Sequence, residues 1–161
     1  MMDTTHALTL ARELMNAYGL QALPVGWTRA KRQFGRCTFT RDATGRRVAK
    51  AIEISWPLTR VNPIEVVRNT ILHEIAHALA GYDAAHGPAW VAMAHRVGAR
   101  PERCVPAGDP TVVDSPGRFT YSCPVCPWTM NRHKRLRRNS SCPKCSHGTY
   151  NPAFELRLAV R

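Results

Sequence analysis

Leu8, Ala11, Leu14, Met15 and Tyr18 recur at the three- and four-residue spacing of one helix face, and Gly19 comes next as a stop. This predicts a helix over 5–18. Pro24 and Gly26 then break the chain. Stretches 27–30, 36–40 and 51–55 read as three short strands, and Asp42-Ala43-Thr44-Gly45 has the chemistry of a hairpin turn. The best-signalled element comes next. Asn62 can cap a helix, Pro63 suits its first position, and Glu65 completes a capping-box pattern. That helix runs through Ile64, Val67, Ile71, Ile75 and Leu79 and stops at Gly81. Another is expected from Pro88 to Gly98, with Trp90, Val91, Ala94 and Val97 facing inward. Residues 106–118 are dense in Pro, Gly and Asp and read as a linker. The expected organisation is a main domain over 1–105, the linker, and a small cysteine-rich unit over 119–161.

The main domain mixes helices and strands, so the fold class is α+β. With 161 residues and 44% hydrophobic content, the chain can bury an ordinary core and is not a disordered polycation. No apolar stretch reaches the roughly 18 residues of a membrane helix, so no membrane association is expected. The first residues lack the basic start of a secretory signal, and Arg12 and Glu13 interrupt the apolar positions around them. The expected location is the cytoplasm, beside the nucleoid, or the host cytoplasm for a viral source.

Charge adds a partner. The formal net charge is +12, and it is concentrated. Residues 27–50 carry eight basic residues (Arg29, Lys31, Arg32, Arg36, Arg41, Arg46, Arg47, Lys50) against Asp42. Residues 115–154 carry Arg118, Arg132, Lys134, Arg135, Arg137, Arg138 and Lys144 and no acid. A solvated surface explains one such segment; two in so short a chain favour contact with a nucleic acid.

The helix that stops at Gly81 contains His73-Glu74-Ile75-Ala76-His77. Residues four apart share a helix face, so His73 and His77 can present two imidazoles to one ion. Glu74 lies one step round and can reach a metal-bound water without ligating the metal, as a general base does. A catalytic zinc takes three protein ligands and a water. The break at Gly81 lets His86 return as the third. Two incidental histidines on an amphipathic helix are the alternative. They are disfavoured because the set lies in the helix's most apolar stretch, where polar groups need partners. The chemistry expected is peptide-bond hydrolysis. His6, His95, His133 and His147 lack this geometry and read as surface residues, with a minor ligand possibility for His133 and His147.

Cys123-Pro-Val-Cys126 and Cys142-Pro-Lys-Cys145 stand fifteen residues apart, the spacing of a four-cysteine zinc site. Four thiolates leave no open position, so this zinc is structural. Without a secretory signal, disulfides are the weaker reading. Cys37, in a predicted strand, reads as a small core residue, and Cys104 has no assigned role. Between the knuckles lie Trp128, Arg132, Lys134, Arg135, Arg137 and Arg138. Cations beside an aromatic suit DNA: the cations neutralise phosphates and Trp128 can stack on an unpaired base. Phe119 and Tyr121 read as core. No base-reading pattern is visible, so little sequence preference is expected.

On these residues the chain resembles the SprT-like (Spartan-type) zinc metalloproteases. The features are His73-Glu74-Ile75-Ala76-His77-Ala78, then His86-Gly87-Pro88-Ala89-Trp90, and the cysteine ribbon downstream. Trp27, Gly35-Arg36-Cys37 and Ile52-Glu53-Ile54-Ser55 agree more weakly, in the order of that family's N-terminal sheet. The resemblance implies a zincin-like minidomain, a small antiparallel sheet packed on the helices that carry the histidines, followed by a zinc ribbon. It implies a DNA-dependent protease acting on proteins crosslinked to or held on DNA. His73, His77 and His86 would be ligands of a catalytic zinc and Glu74 its acid/base. Cys123, Cys126, Cys142 and Cys145 would hold a second, structural zinc. The sequence departs from the pattern in the Pro of both knuckles, and no long tail of partner-binding motifs comes after the ribbon. A bacterial, archaeal or viral member is expected. Two other readings stay open. One is a nucleic-acid-binding zinc protein without protease activity. The other is a regulatory protease that cleaves one specific repressor or host factor.

Overall fold

The computed structural model describes residues 3–102, 112–113 and 117–159. They fall into two compact units, Met1–Ser115 and Pro116–Arg161. Helix α1 (Thr4–Ala17) opens on Asp3, whose carboxylate accepts the Thr5 N–H, and buries Ala7, Ala11 and Met15. Strands β1 (Val25–Thr28), β2 (Gly35–Arg41) and β3 (Arg47–Ser55) form one sheet in the order β1-β3-β2. β2 and β3 make the expected hairpin, and the Asp42 carboxylate accepts the N–H groups of Thr44 and Arg46 inside its turn.

β1 pairs with β3 in parallel, Val25 opposite Ile52, so the sheet is mixed and not antiparallel throughout. The chain reverses direction twice between β1 and β3, and two reversals restore the original sense. Alternation along a strand records which face is buried, not which neighbour it takes or in which direction. On β3, Ile52 and Ile54 are buried, while Glu53 faces away and pairs with Arg36 across the hairpin.

Ser55 ends β3 and caps α2 (Trp56–Val61): its Oγ accepts the Leu58 N–H at 3.2 Å and donates to the Ala30 carbonyl at 2.6 Å. The sequence pattern does not anticipate α2, because six residues including Pro57 are too few to show a helical period. Asn62 therefore closes α2 and does not cap the next helix. It is buried, and its amide donates to the carbonyls of Leu58 and Val113 while its Oδ1 accepts the Val113 N–H.

Helix α3 (Ile64–Ala80) starts at Pro63 without a side-chain cap, has Glu65 in its first turn, and ends at Gly81, whose φ of +87° suits glycine. Helix α4 (Pro88–Val97) begins at Pro88 and closes at Gly98 in the left-handed region. Val67, Ile71, Leu72, Ile75 and Ala76 of α3 lie at the centre of the core, with Met15, Ile52, Ile54, Trp90, Ala94 and Val97 around them. Val91, expected inward, is half-buried against the same cluster.

In the second unit β4 (Phe119–Ser122), β5 (Thr129–Arg132) and β6 (Arg157–Leu158) form an antiparallel sheet in the order β5-β4-β6. Its small core is Tyr121, Cys123, Cys142 and Leu156, with Phe119, Trp128, Met130 and Leu136 packed on it. Of the expected linker only 112, 113, 117 and 118 are described, and Cys104 lies outside the described residues. Among the described residues no helix is long and apolar enough to cross a membrane. Both units together give an α+β protein.

Candidate metal centres

α3 carries His73 and His77 one turn apart on one face. The third histidine is brought back by a sharp turn. After Gly81 the chain makes a single helical turn, Tyr82–Ala84, and Ala85 takes φ +43°, a region that L residues rarely adopt. The Gly87 N–H closes the turn on the Ala84 carbonyl at 2.8 Å. A residue held against its backbone preference, directly before a site residue, is strain placed where the surrounding fold fixes it.

The result is a convergence of three Nε2 atoms. His86 Nε2 lies 3.1 Å from His77 Nε2 and 3.2 Å from His73 Nε2. Four-coordinate zinc with nitrogen ligands near 2.0–2.1 Å has tetrahedral edges of about 3.4 Å, so three imidazoles this close and aimed at one point fit a zinc ion. Burial lowers the pKa of His73 and His77 to about 4, with neighbouring histidines adding to the effect. Neutral imidazole is the form that binds metal. Trp90 supports the cluster from below: its ring centroid is 4.7, 5.2 and 4.6 Å from those of His73, His77 and His86. It is fully buried, and its Nε1–H has no hydrogen-bond partner among the described residues. In the sequence Trp90 reads as an inward-facing core residue just after the third histidine; its role as a platform depends on the return of α4, which spacing does not reveal.

Glu74 is 5% exposed and forms no ion pair among the described residues. Burial pushes its pKa up to about 8, opposed by a hydrogen bond from the Cys37 backbone N–H. That N–H is available because β2 is an edge strand. Ile52, opposite Cys37, sends its own N–H to Pro24 on the far side, so Cys37 and Ile52 are not a hydrogen-bonded pair. The Cys37 thiol is half-buried, and burial first, then the Glu74 charge, raises it to about 12.

Four thiols converge in the second unit. Cys123 and Cys145 Sγ atoms are 3.9 Å apart, Cys126 and Cys142 are 3.7 Å apart, and all four sulfurs lie within 4.8 Å of one another. Zinc–thiolate bonds of about 2.3 Å give tetrahedral edges of about 3.8 Å, which these separations match. The Val125 N–H donates to Cys123 Sγ at 3.4 Å, so the Pro124 knuckle still supplies one backbone donor. No disulfide joins the described cysteines.

The remaining candidates divide by exposure. Lys134, Arg135, Arg137 and Arg138 are exposed, and Arg132 on β5 is half-buried. Trp128 packs on the cysteine core, which leaves only part of its ring to solvent. Tyr121 is buried, and its hydroxyl accepts the Leu136 N–H at 3.1 Å; Phe119 is half-buried, with the Arg135 guanidinium 5.4 Å from its ring. All eight basic residues of the 27–50 segment are exposed. His6, His95 and His147 are exposed and His133 is half-buried. None of the four belongs to either metal-ligating group.

Compared with known families, residues 6–108 match the model of the SprT-like family. No curated protein matches the chain.

Proposed function

The chain belongs to the SprT-like family, and from that premise we propose that it is a DNA-dependent zinc metalloprotease acting on proteins bound or crosslinked to DNA. Membership brings a metalloprotease-like function; the dependence on DNA and the substrate class are our reading. The observation that carries it is Glu74, a buried carboxylate adjacent in sequence to His73, on the helix that supplies two of three converging imidazoles. A site that only braced the fold would need no such carboxylate, whose burial is costly.

In this reading the first unit is zincin-like, and His73, His77 and His86 hold the catalytic zinc. When bound, the metal polarises the scissile carbonyl and acidifies a water. Glu74 takes a proton from the attacking water and delivers it to the leaving amine nitrogen as the C–N bond breaks. Cys123, Cys126, Cys142 and Cys145 hold a structural zinc that replaces the large core this small ribbon lacks. Arg132, Lys134, Arg135, Arg137 and Arg138 meet phosphates, and the open part of Trp128 stacks on a base. This favours single-stranded DNA with little sequence preference. The cytoplasm, beside the nucleoid, suits such a substrate.

The test is cleavage of a DNA-binding protein with and without single-stranded DNA. Cleavage is expected only with DNA, and Glu74→Gln is expected to keep both zinc ions and lose at least about a hundredfold in rate. Cleavage that ignores DNA, or that survives in Glu74→Gln, overturns the reading.

A further inference from the structure

We propose that Gly35 is a positioning residue for Glu74: a strand position without a side chain leaves the notch in which the carboxylate is seated. The proposal rests on the reading of Glu74 as the proton carrier.

A Cβ placed on Gly35 would lie 2.9 Å from Glu74 Cγ, 2.9 Å from Glu74 Oε1 and 2.9 Å from Thr70 Cγ2. Packed carbon atoms sit at about 3.5–4.0 Å, so one of these groups would have to move. Gly35 does not have a positive φ, so conformational freedom is not what the position demands. Space is.

What yields is decided by what is fixed. β2 is tied down at this point: the Phe34 carbonyl accepts the Ser55 N–H at 2.7 Å, Gly35 lies opposite Ile54, and Arg36 pairs with Glu53. Ser55 is itself held by Ala30 and by its capping of α2. α3 cannot back away, because Ile71 and Ile75 are fully buried in the core on the same helix. The side chain of Glu74 is the group left to move, and any rotation that clears a methyl at Gly35 carries the carboxylate with it. Two residues further along the same strand, the Cys37 backbone N–H favours the charged form of that carboxylate. The edge of β2 thus supplies the space for one side chain of α3.

The experiment uses the full zinc-loaded chain in a Thr70→Ser background, which removes the second methyl contact and leaves Glu74 as the group a new Cβ would meet. Gly35→Ala is compared there with Glu74 present and with Glu74→Ala. Three results are expected. Gly35→Ala lowers Tm by several degrees with Glu74 present and not when Glu74 is Ala. Zinc content is unchanged. In the DNA-dependent cleavage assay kcat falls at least tenfold with KM unchanged. Should Gly35→Ala prevent folding with Glu74 present, folding restored by Glu74→Ala supports the same coupling. An equal loss of Tm in both backgrounds, or full kcat in Gly35→Ala, overturns the proposal. If the parent protein cleaves nothing, the functional reading fails while the Tm comparison still decides the role of Gly35.

Discussion

Trp90 does two jobs that pull apart under substitution. Its ring fills the space beneath three histidines, yet its buried N–H finds no acceptor among the described residues. An unsatisfied buried donor costs about 1–3 kcal/mol, and Trp90→Phe removes it while giving up part of the packed area. The two effects offset, so Trp90→Phe is expected to shift Tm little and to keep the histidines near their present geometry. Trp90→Ala keeps neither the packing nor the platform. It is expected to cost about 3–5 kcal/mol in denaturant unfolding and to weaken zinc binding by about tenfold or more in a chelator competition. The histidines could be found from sequence because the spacing of His73 and His77 is a local helical rule and Gly81 shows where the chain can turn. Trp90 and Gly35 could not be assigned their roles in the same way, because each acts on a residue reached only through the packing of separate elements.

At the scale of elements, the long periodic helices and the hairpin were legible because their signals are local: a repeated apolar face, an Asp-to-Gly turn, a glycine stop. Asn62 shows where local reading ends. An Asn before Pro63 and Glu65 has every feature of a helix cap, and the same residue instead closes α2 and clasps the backbone of Val113 through both ends of its amide. The two roles respond differently to one substitution. Asp is as good a cap as Asn and is favoured at a helix N-terminus. It cannot donate to the carbonyls of Leu58 and Val113, and at this 2% exposed position it would bury a charge. Asn62→Asp is therefore expected to cost more than about 2 kcal/mol in urea unfolding and to speed hydrogen exchange at the Val113 N–H. A capping role would leave both nearly unchanged. The parallel pairing of β1 with β3 was hidden for a related reason: strand order is fixed by how the sheet packs on α1 and α3, not by any pattern within β1.

Taken over both units, a net charge of +12 leaves two exposed cationic segments, and under the proposed function one of them would meet DNA. Both qualify by exposure, but they differ in what surrounds them. In residues 27–50 some cations already have partners: Arg36 pairs with Glu53, Arg41 donates to the Gly45 carbonyl, and the Arg47 guanidinium lies 3.8 Å from the centre of the Tyr82 ring. The ribbon contains no acid from 115 to 154, and Arg137 and Arg138 are exposed beside Lys134 and Arg135. Each phosphate contact with single-stranded DNA contributes about 0.7 to the slope of log affinity against log salt. Replacing Arg135, Arg137 and Arg138 together with Gln is expected to reduce that slope by about 2, with both zinc ions retained. Affinity should fall most at low salt, where the displaced counterions matter most. A slope that does not change would move the proposed DNA contacts to residues 29–50, on the unit that carries the histidines.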